Sequence, residues 1–80
     1  MPTVFVQNGY RVSFFSYDLV ERMHVHVFKA GHECKIWLDD LALVYNRGFK
    51  PHEITKIRQM ISKRRAEIVE RWLEHGRNEN

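Results

Sequence analysis

The sequence has 80 residues, of which 44% are apolar and 29% are charged; this composition is typical of one soluble globular domain over residues 1–80 and excludes a disordered chain. Its longest apolar run, residues 41–45, is far shorter than the ~20 residues of a membrane span, and a single cysteine, Cys34, excludes an internal disulfide framework. The net charge of +3 is compatible with an anionic partner. The start of the chain lacks the basic segment and long apolar stretch of a signal peptide, so we expect a cytoplasmic protein.

The first predicted element is a β-hairpin. Residues 3–7 and 10–16 are strand-like and flank Asn8-Gly9, a dipeptide that favours the positive φ angles of a two-residue hairpin turn. The predicted strand pairs are Gln7 with Tyr10, Phe5 with Val12 and Thr3 with Phe14.

A second hairpin is predicted over residues 24–29 and 32–38, around Ala30-Gly31. The predicted pairs are Val25 with Ile36, Val27 with Cys34, His24 with Trp37, His26 with Lys35, and Phe28 with Glu33. The first two pairs form an apolar face, and the other three form the opposite face. Residues 41–45 are compatible with a short fifth strand or with one helical turn, and both alternatives remain open.

The rest of the chain predicts one long helix over residues 51–76. Pro51 suits the first turn of a helix, and Gly76 is typical of the residue that ends one. The apolar residues that recur at helical spacing are Ile54, Ile57, Ile61, Ile68 and Trp72. The elements together predict an α+β domain: an antiparallel sheet of four or five strands within residues 1–46, built from two hairpins, with one long C-terminal helix packed on one face.

Two arginines interrupt the apolar stripe of this helix, because Arg64 and Arg65 lie between Ile61 and Ile68. In one interpretation the helix bends or extends beyond the sheet, and the arginines reach past the core toward solvent. In the other, a guanidinium pair at the rim of the core faces a ligand or a partner. Arg58 and Arg65 fit the second interpretation because residues seven apart on a helix point the same way.

Most of the positive charge lies in the second half of the chain. Residues 41–80 carry nine basic and five acidic side chains, whereas residues 1–40 carry four and five. Glutamates on the same helix partly neutralise the basic run 63–65, which is typical of a solvated helix face. The same surface is compatible with an acidic protein partner.

His24 and His26 are the first candidate site residues. Strand alternation places both imidazoles on one sheet face, beside Lys35 and Trp37, with ~6.5–7 Å between the two backbone positions. The structural interpretation is that the histidines pack with Trp37 on a half-exposed strand. The functional alternatives are contacts with a ligand or nucleic acid, an acid–base pair that cleaves a phosphodiester with Lys35 near the phosphate, and a metal site.

The sequence does not favour a metal site or a cofactor. His32, Glu33 and Cys34 are the possible additional ligands, but the predicted pairing turns His32 and Cys34 to the opposite face, so the ligand set does not close. Cys34 is predicted to be a small core residue and not a nucleophile.

Trp37 is the second candidate. With Lys35, Arg11 and the histidines it resembles a platform on which a nucleobase stacks. Packing of Trp37 in the core or in a subunit interface explains the same pattern.

Several segments follow one another in the order of a known family. They are Met1-Pro2-Thr3-Val4-Phe5, Gly9-Tyr10-Arg11, Phe14-Phe15-Ser16, His24-Val25-His26-Val27, Lys35-Ile36-Trp37-Leu38-Asp39, Asn46-Arg47-Gly48-Phe49 and Trp72. Over nearly the whole chain this pattern resembles the small bacterial domain-of-unknown-function family numbered four-one-six-zero. Members often have two prolines before the His-Val-His-Val segment, where this chain has Arg22-Met23.

The resemblance implies no settled activity. It implies a gene that sits beside a second small gene, an arrangement similar to toxin–antitoxin pairs. The shared pattern falls on His24, His26, Lys35, Trp37 and Arg47, and the family gives no role to any of them.

The resulting functional hypothesis is a bacterial interaction module rather than an enzyme, one component of a toxin–antitoxin-like two-gene system. We expect it to bind a protein partner, either the neighbouring gene product or a second copy. Nucleic acid is a further candidate partner, and no binding to a membrane is expected. The predicted binding residues are His24, His26, Lys35, Trp37, Arg11, Arg58 and Arg65. The alternative is a metal-independent ribonuclease with His24, His26 and Lys35 as catalytic residues.

Overall fold

The computed structural model describes residues 3–14 and 21–79, and the side chains of these residues as far as Gly76. The strands are β1 (Thr3–Gln7), β2 (Tyr10–Ser13), β3 (His24–Lys29), β4 (His32–Trp37) and β5 (Leu43–Arg47). The helices are α1 (Pro51–Lys63) and α2 (Arg65–Glu79). The predicted α+β class is confirmed.

The five strands form one antiparallel sheet in chain order, β1-β2-β3-β4-β5. Both predicted hairpins are present, and Asn8 and Gly9 have φ angles of 52° and 82° at the first turn. All five pairs predicted for the second hairpin are confirmed.

The first hairpin differs from the prediction at its open end. Gln7 pairs with Tyr10 and Phe5 pairs with Val12 as predicted, but Thr3 pairs with Ser13 instead of Phe14. The register shifts between Thr3 and Phe5, and such a bulge lets two residues on one strand face one on the other. Strand β2 ends at Ser13, and residues 15–16 of the predicted strand lie outside the described part of the chain.

The ambiguous segment after β4 becomes a strand, because Leu43 pairs with Ile36 and Tyr45 pairs with Lys35. Asn46 and Arg47 also belong to this strand. The Asn46 side chain then bonds both the N–H and the carbonyl of Phe49, at 3.0 and 2.8 Å. These bonds direct the chain from β5 toward α1.

The prediction of one long helix over residues 51–76 is wrong. The helix is interrupted at Arg64, whose backbone has φ −111° and ψ 18°, and the second segment extends past Gly76 to Glu79. The physical reason for the interruption lies in the Arg64 side chain, which occupies a position of the apolar stripe. Its guanidinium lies 3.6 Å from the centre of the Phe5 ring and donates to Gln7 at 3.3 Å and to Glu67 at 2.9–3.0 Å.

One cluster of buried side chains joins the sheet to both helices. Its fully buried members include Val12, Val25, Val27, Ile36, Ile57, Ile61 and Ile68. Burial of one such side chain stabilises a fold by ~1.5–3 kcal/mol. Among the described residues, no helix combines the length and the apolar character needed to cross a bilayer.

Candidate functional site

The sequence-predicted histidines lie on a continuous strip of side chains across β2 to β5, which we call the histidine face. Strand pairing places opposite residues on the same side of the sheet, and this defines the members. They are Arg11, Ser13, His24, His26, Phe28, Glu33, Lys35, Trp37, Tyr45 and Arg47.

His24 is a core residue, with none of its surface exposed. Its Nδ1 lies 2.7 Å from the carbonyl oxygen of Arg22, and since a carbonyl only accepts, His24 carries a proton on Nδ1. The imidazole makes T-shaped contacts with the rings of Trp37 and Trp72, at 5.8 and 5.4 Å between ring centres. Trp72 also packs on Phe14, so α2 reaches the end of the sheet where β2 finishes and β3 begins. The expected half-exposed histidine is therefore sealed under α2.

His26, which is 7% exposed, belongs to a polar cluster with Glu33 and Tyr45. Its Nδ1 lies 3.2 Å from Glu33 Oε2 and 3.2 Å from the Tyr45 hydroxyl oxygen. The Tyr45 hydroxyl donates to the same carboxylate oxygen. Arg47 completes the cluster, with Nη1 3.8 Å from Glu33 Oε1 and its guanidinium 4.6 Å from the Tyr45 ring centre.

The cluster holds Tyr45 as a neutral donor. Burial raises the pKa of the Tyr45 hydroxyl, and the hydrogen bond to Glu33 and the charge of that carboxylate raise it further. A hydroxyl that keeps its proton at neutral pH orients the carboxylate but does not supply a base. The arrangement is therefore suited to fixing three strands together in one geometry.

Trp37 already carries two cations on its ring. The Arg22 guanidinium lies 4.5 Å and the Lys35 ammonium 5.1 Å from the ring centre. Each cation has a carboxylate of its own, Arg22 with Asp39 at 2.6 and 2.9 Å and Lys35 with Glu21 at 3.1 Å. A stacking nucleobase would have to compete with these contacts.

Of the three predicted arginines, Arg11 belongs to the histidine face, whereas Arg58 and Arg65 do not. Arg11 lies at its far edge, 5.2 Å from the centre of the Phe28 ring, and Arg58 is exposed on α1. Arg65 donates to the carbonyl oxygen of Asp39 at 2.8 Å. The structure thus brings His24, His26, Lys35 and Trp37 together and separates Arg58 and Arg65 from them.

Sequence reasoning missed Tyr45, Arg22 and Trp72 as neighbours of the histidines. A strand assignment for residues 41–45 would have placed Tyr45 opposite Lys35 and hence beside His26. Trp72 carried no such signal, because its contact with His24 joins α2 to β3, two elements that are far apart in the sequence.

Cys34 lies on the opposite, apolar side of the sheet and is fully buried. Burial raises the pKa of its thiol to about 12, the negative charge of Glu33 adds to the rise, and Arg58 opposes it. The thiol therefore stays protonated at neutral pH. Within the described ranges 3–14 and 21–79, no three His, Cys, Asp or Glu side chains are grouped so that they could hold a metal ion.

A second candidate surface runs along α2. One open cavity of about 750 Å³ is lined by Ser62, Lys63, Arg65, Ala66, Val69, Glu70 and Leu73. A neighbouring cavity of about 380 Å³ is lined by Arg22, Met23, Leu38, Asp39, Arg65 and Val69. Arg65 and Val69 line both, so the two cavities adjoin, and we call them together the α2 groove. Leu73, which lines the larger cavity, is 50% exposed.

Comparison with known proteins gives one match. The family model described as "Domain of unknown function (DUF4160)" matches residues 9–73. No curated protein and no solved structure matches the chain.

Proposed function

The chain belongs to the DUF4160 family, the resemblance expected from its sequence, and we propose that it is an interaction module that binds a partner protein through the α2 groove. The observation that carries the proposal is the half-exposed Leu73, which lines the larger of two adjoining cavities together with Val69. A large apolar side chain left open to water next to a groove is typical of a surface that a partner covers.

The charges around the groove specify the chemistry of the partner. Lys63 and Arg65 line the end of the groove nearest the helix interruption, and Glu70 lies one turn further along α2. A matching segment has apolar side chains for Val69 and Leu73 and a carboxylate opposite the two cations. An amphipathic helix with one acidic residue meets this requirement.

The product of the neighbouring small gene is the partner that we propose. This part of the proposal rests on the toxin–antitoxin-like arrangement that the family resemblance implies. In such a pair the chain acts by binding, and the histidine face supports the fold beneath the groove.

The burial of His24 and His26 favours this function over the alternative of a metal-independent ribonuclease. A general base must come within hydrogen-bond reach of the proton that it removes, and His24 is sealed beneath Trp72. RNA cleavage by the purified protein that is lost in both His24→Ala and His26→Ala would reverse this preference. Each variant must retain the native circular dichroism spectrum for that result to count.

The direct test is titration calorimetry with the purified product of the neighbouring gene. We expect Leu73→Glu to weaken the complex at least tenfold, because the introduced carboxylate would have to be buried against apolar side chains. Val44→Glu is the matched control, since Val44 is also exposed but lies on β5, outside the groove. Absence of a complex, or equal affinities of the two variants, would refute the proposal.

A further inference from the structure

We propose that a second groove, between the β1–β2 turn and α1, binds the phosphate groups of a nucleic-acid strand. This cavity of about 310 Å³ is lined by Gln7, Asn8, Tyr10, Lys29, Lys56, Gln59, Met60 and Lys63. Three lysines and three amide side chains face it, and none of the lining residues is acidic. We call it the lysine groove.

Lys29 is held in place at the inner end of the groove. Its ammonium donates to the carbonyl oxygen of Asn8 at 3.0 Å and lies 4.3 Å from the centre of the Tyr10 ring. The side chain passes so close to Gly9 that a Cβ there would be 3.1 Å from Lys29 Cε. An ammonium has three N–H donors, so two remain for a ligand after the bond to Asn8.

Lys56 and Lys63 extend the positive charge along α1. They are seven residues apart and therefore on one side of the helix, ~10 Å from each other, with Gln59 between them. In the part of the chain that the structure describes, no carboxylate lies within 4.0 Å of the ammonium of Lys29, Lys56 or Lys63. This sets the three apart from Lys35, which has Glu21 as a partner.

Glu53 is the acid whose contacts bring it next to the groove, and its oxygens are already engaged. Oε2 accepts from the Tyr10 hydroxyl at 3.3 Å, and Oε1 accepts from the backbone N–H of Lys50 at 3.0 Å. The bond from Lys50 keeps the pKa of the Glu53 carboxyl below its usual range, so its charge stays at the start of α1. The three lysines are left for an external anion.

The spread of the lysines favours a strand over a single phosphate ion. A nucleic-acid strand carries one phosphate per ~3.4 Å of helix axis, so cations ~10 Å apart match phosphates about three positions apart on one strand, a distance that a single phosphate ion cannot bridge. Lysines act as point charges on the backbone, and this chemistry holds a strand without reading its sequence. This inference does not depend on the proposed partner protein. The measurement that tests it requires only the purified chain.

The test is fluorescence anisotropy with a labelled twelve-residue oligouridylate, titrated with the purified protein at several KCl concentrations. Three phosphate contacts predict that log Kobs falls with log[salt] with a slope of about −2. Lys29→Gln/Lys56→Gln removes two contacts, so we expect a slope of about −0.7 and a loss of affinity of tens of fold at ~50 mM salt. This double variant leaves Lys63 unchanged, because Lys63 also lines the α2 groove.

The control is Lys50→Gln/Arg71→Gln, which removes the same charge from exposed positions outside the groove. We expect its slope to stay near that of the parent protein. Equal losses of affinity in the two double variants would refute binding in the lysine groove, as would the absence of oligonucleotide binding at low salt. Inorganic phosphate and ATP are titrated separately. Saturable binding of either one, without binding of the oligonucleotide, would refute the binding of a nucleic-acid strand and indicate a site for small anions.

Because Lys29 also packs on Tyr10, the single variant Lys56→Gln is included to separate binding from folding. Lys56 is exposed on α1, so its replacement should leave the thermal midpoint unchanged. One lost contact predicts a loss of ~8-fold at ~50 mM salt. An unchanged affinity in this variant would count against the groove.

Discussion

The contact between Arg64 and Phe5 offers the sharpest test of how this fold is held together. Arg64→Ala removes a guanidinium that lies 3.6 Å from the ring centre of a buried phenylalanine, while the arginine side chain is itself 32% exposed. Cation–π contacts are worth about 0.5–1 kcal/mol at exposed sites and about 2 kcal/mol when desolvated. We expect a loss of about 1 kcal/mol in the free energy of unfolding.

The assay is urea unfolding followed by tryptophan fluorescence, together with a thermal melt. A loss of about 1 kcal/mol in a domain of this size lowers Tm by about 4–8 °C. Arg71→Ala is the matched control, because Arg71 is an exposed arginine on α2 and its removal should change stability by less than about 0.5 kcal/mol.

A double-mutant cycle with Phe5→Leu isolates the contact itself. If the guanidinium stabilises the fold through the ring, Arg64→Ala should cost markedly less in the Phe5→Leu background than in the parent protein. Additive effects of the two substitutions would refute the reasoning. So would an Arg64→Ala protein as stable as Arg71→Ala.

Two further predictions concern the sheet. The folded state raises the pKa of the Cys34 thiol to about 12, so it binds the proton more tightly than the unfolded chain; the contribution to stability is complete below the unfolded thiol pKa of ~8.5 and falls as pH rises above it. Urea unfolding should show a loss of about 2 kcal/mol from this group by pH ~10, and Cys34→Ala should have a flatter pH profile; parallel profiles would contradict the prediction. Gly48→Ala places a Cβ 2.5 Å from His32 Cδ2 at a φ of 108°, and we expect a lower Tm than in Gly31→Ala, where φ is 80° and no atom lies within 4 Å of the Cβ. A calorimetric scan with equal Tm values for the two alanine variants would show that the close approach to His32 carries no cost.

Local signals were sufficient to predict most of the sheet. Asn8-Gly9 and Ala30-Gly31 fixed two-residue turns, and the alternation after each turn then determined which residues face one another. The signal failed at Thr3, because a bulge changes the register without leaving a clear mark in composition. The signal was ambiguous for β5, since a short apolar run fits both the two-residue period of a strand and the 3.6-residue period of a helix.

The helical part was predicted less well because its shape depends on a distant contact. The stripe of isoleucines identified the buried side of α1 and α2, but the interruption is set by Arg64 reaching Phe5 and Gln7 on β1. For the candidate site, alternation placed His24 and His26 together correctly. It could not reveal that Trp72 would cover His24, because that contact joins α2 to β3, which are far apart in the sequence.

The chain-order arrangement of the strands has a consequence for synthesis in the cell. Each strand pairs with the one before it, so the sheet is able to assemble as the chain leaves the ribosome. Its apolar side stays uncovered until Ile57, Ile68 and Trp72 have been synthesised. At about 5–20 residues per second, translation from Arg47 to Trp72 takes about 1–5 s. For that interval a formed or forming sheet exposes an apolar surface and an unprotected edge, the features that promote aggregation of nascent chains. Slow codons between β5 and α2 would lengthen this window, whereas rapid translation of the helices would close it.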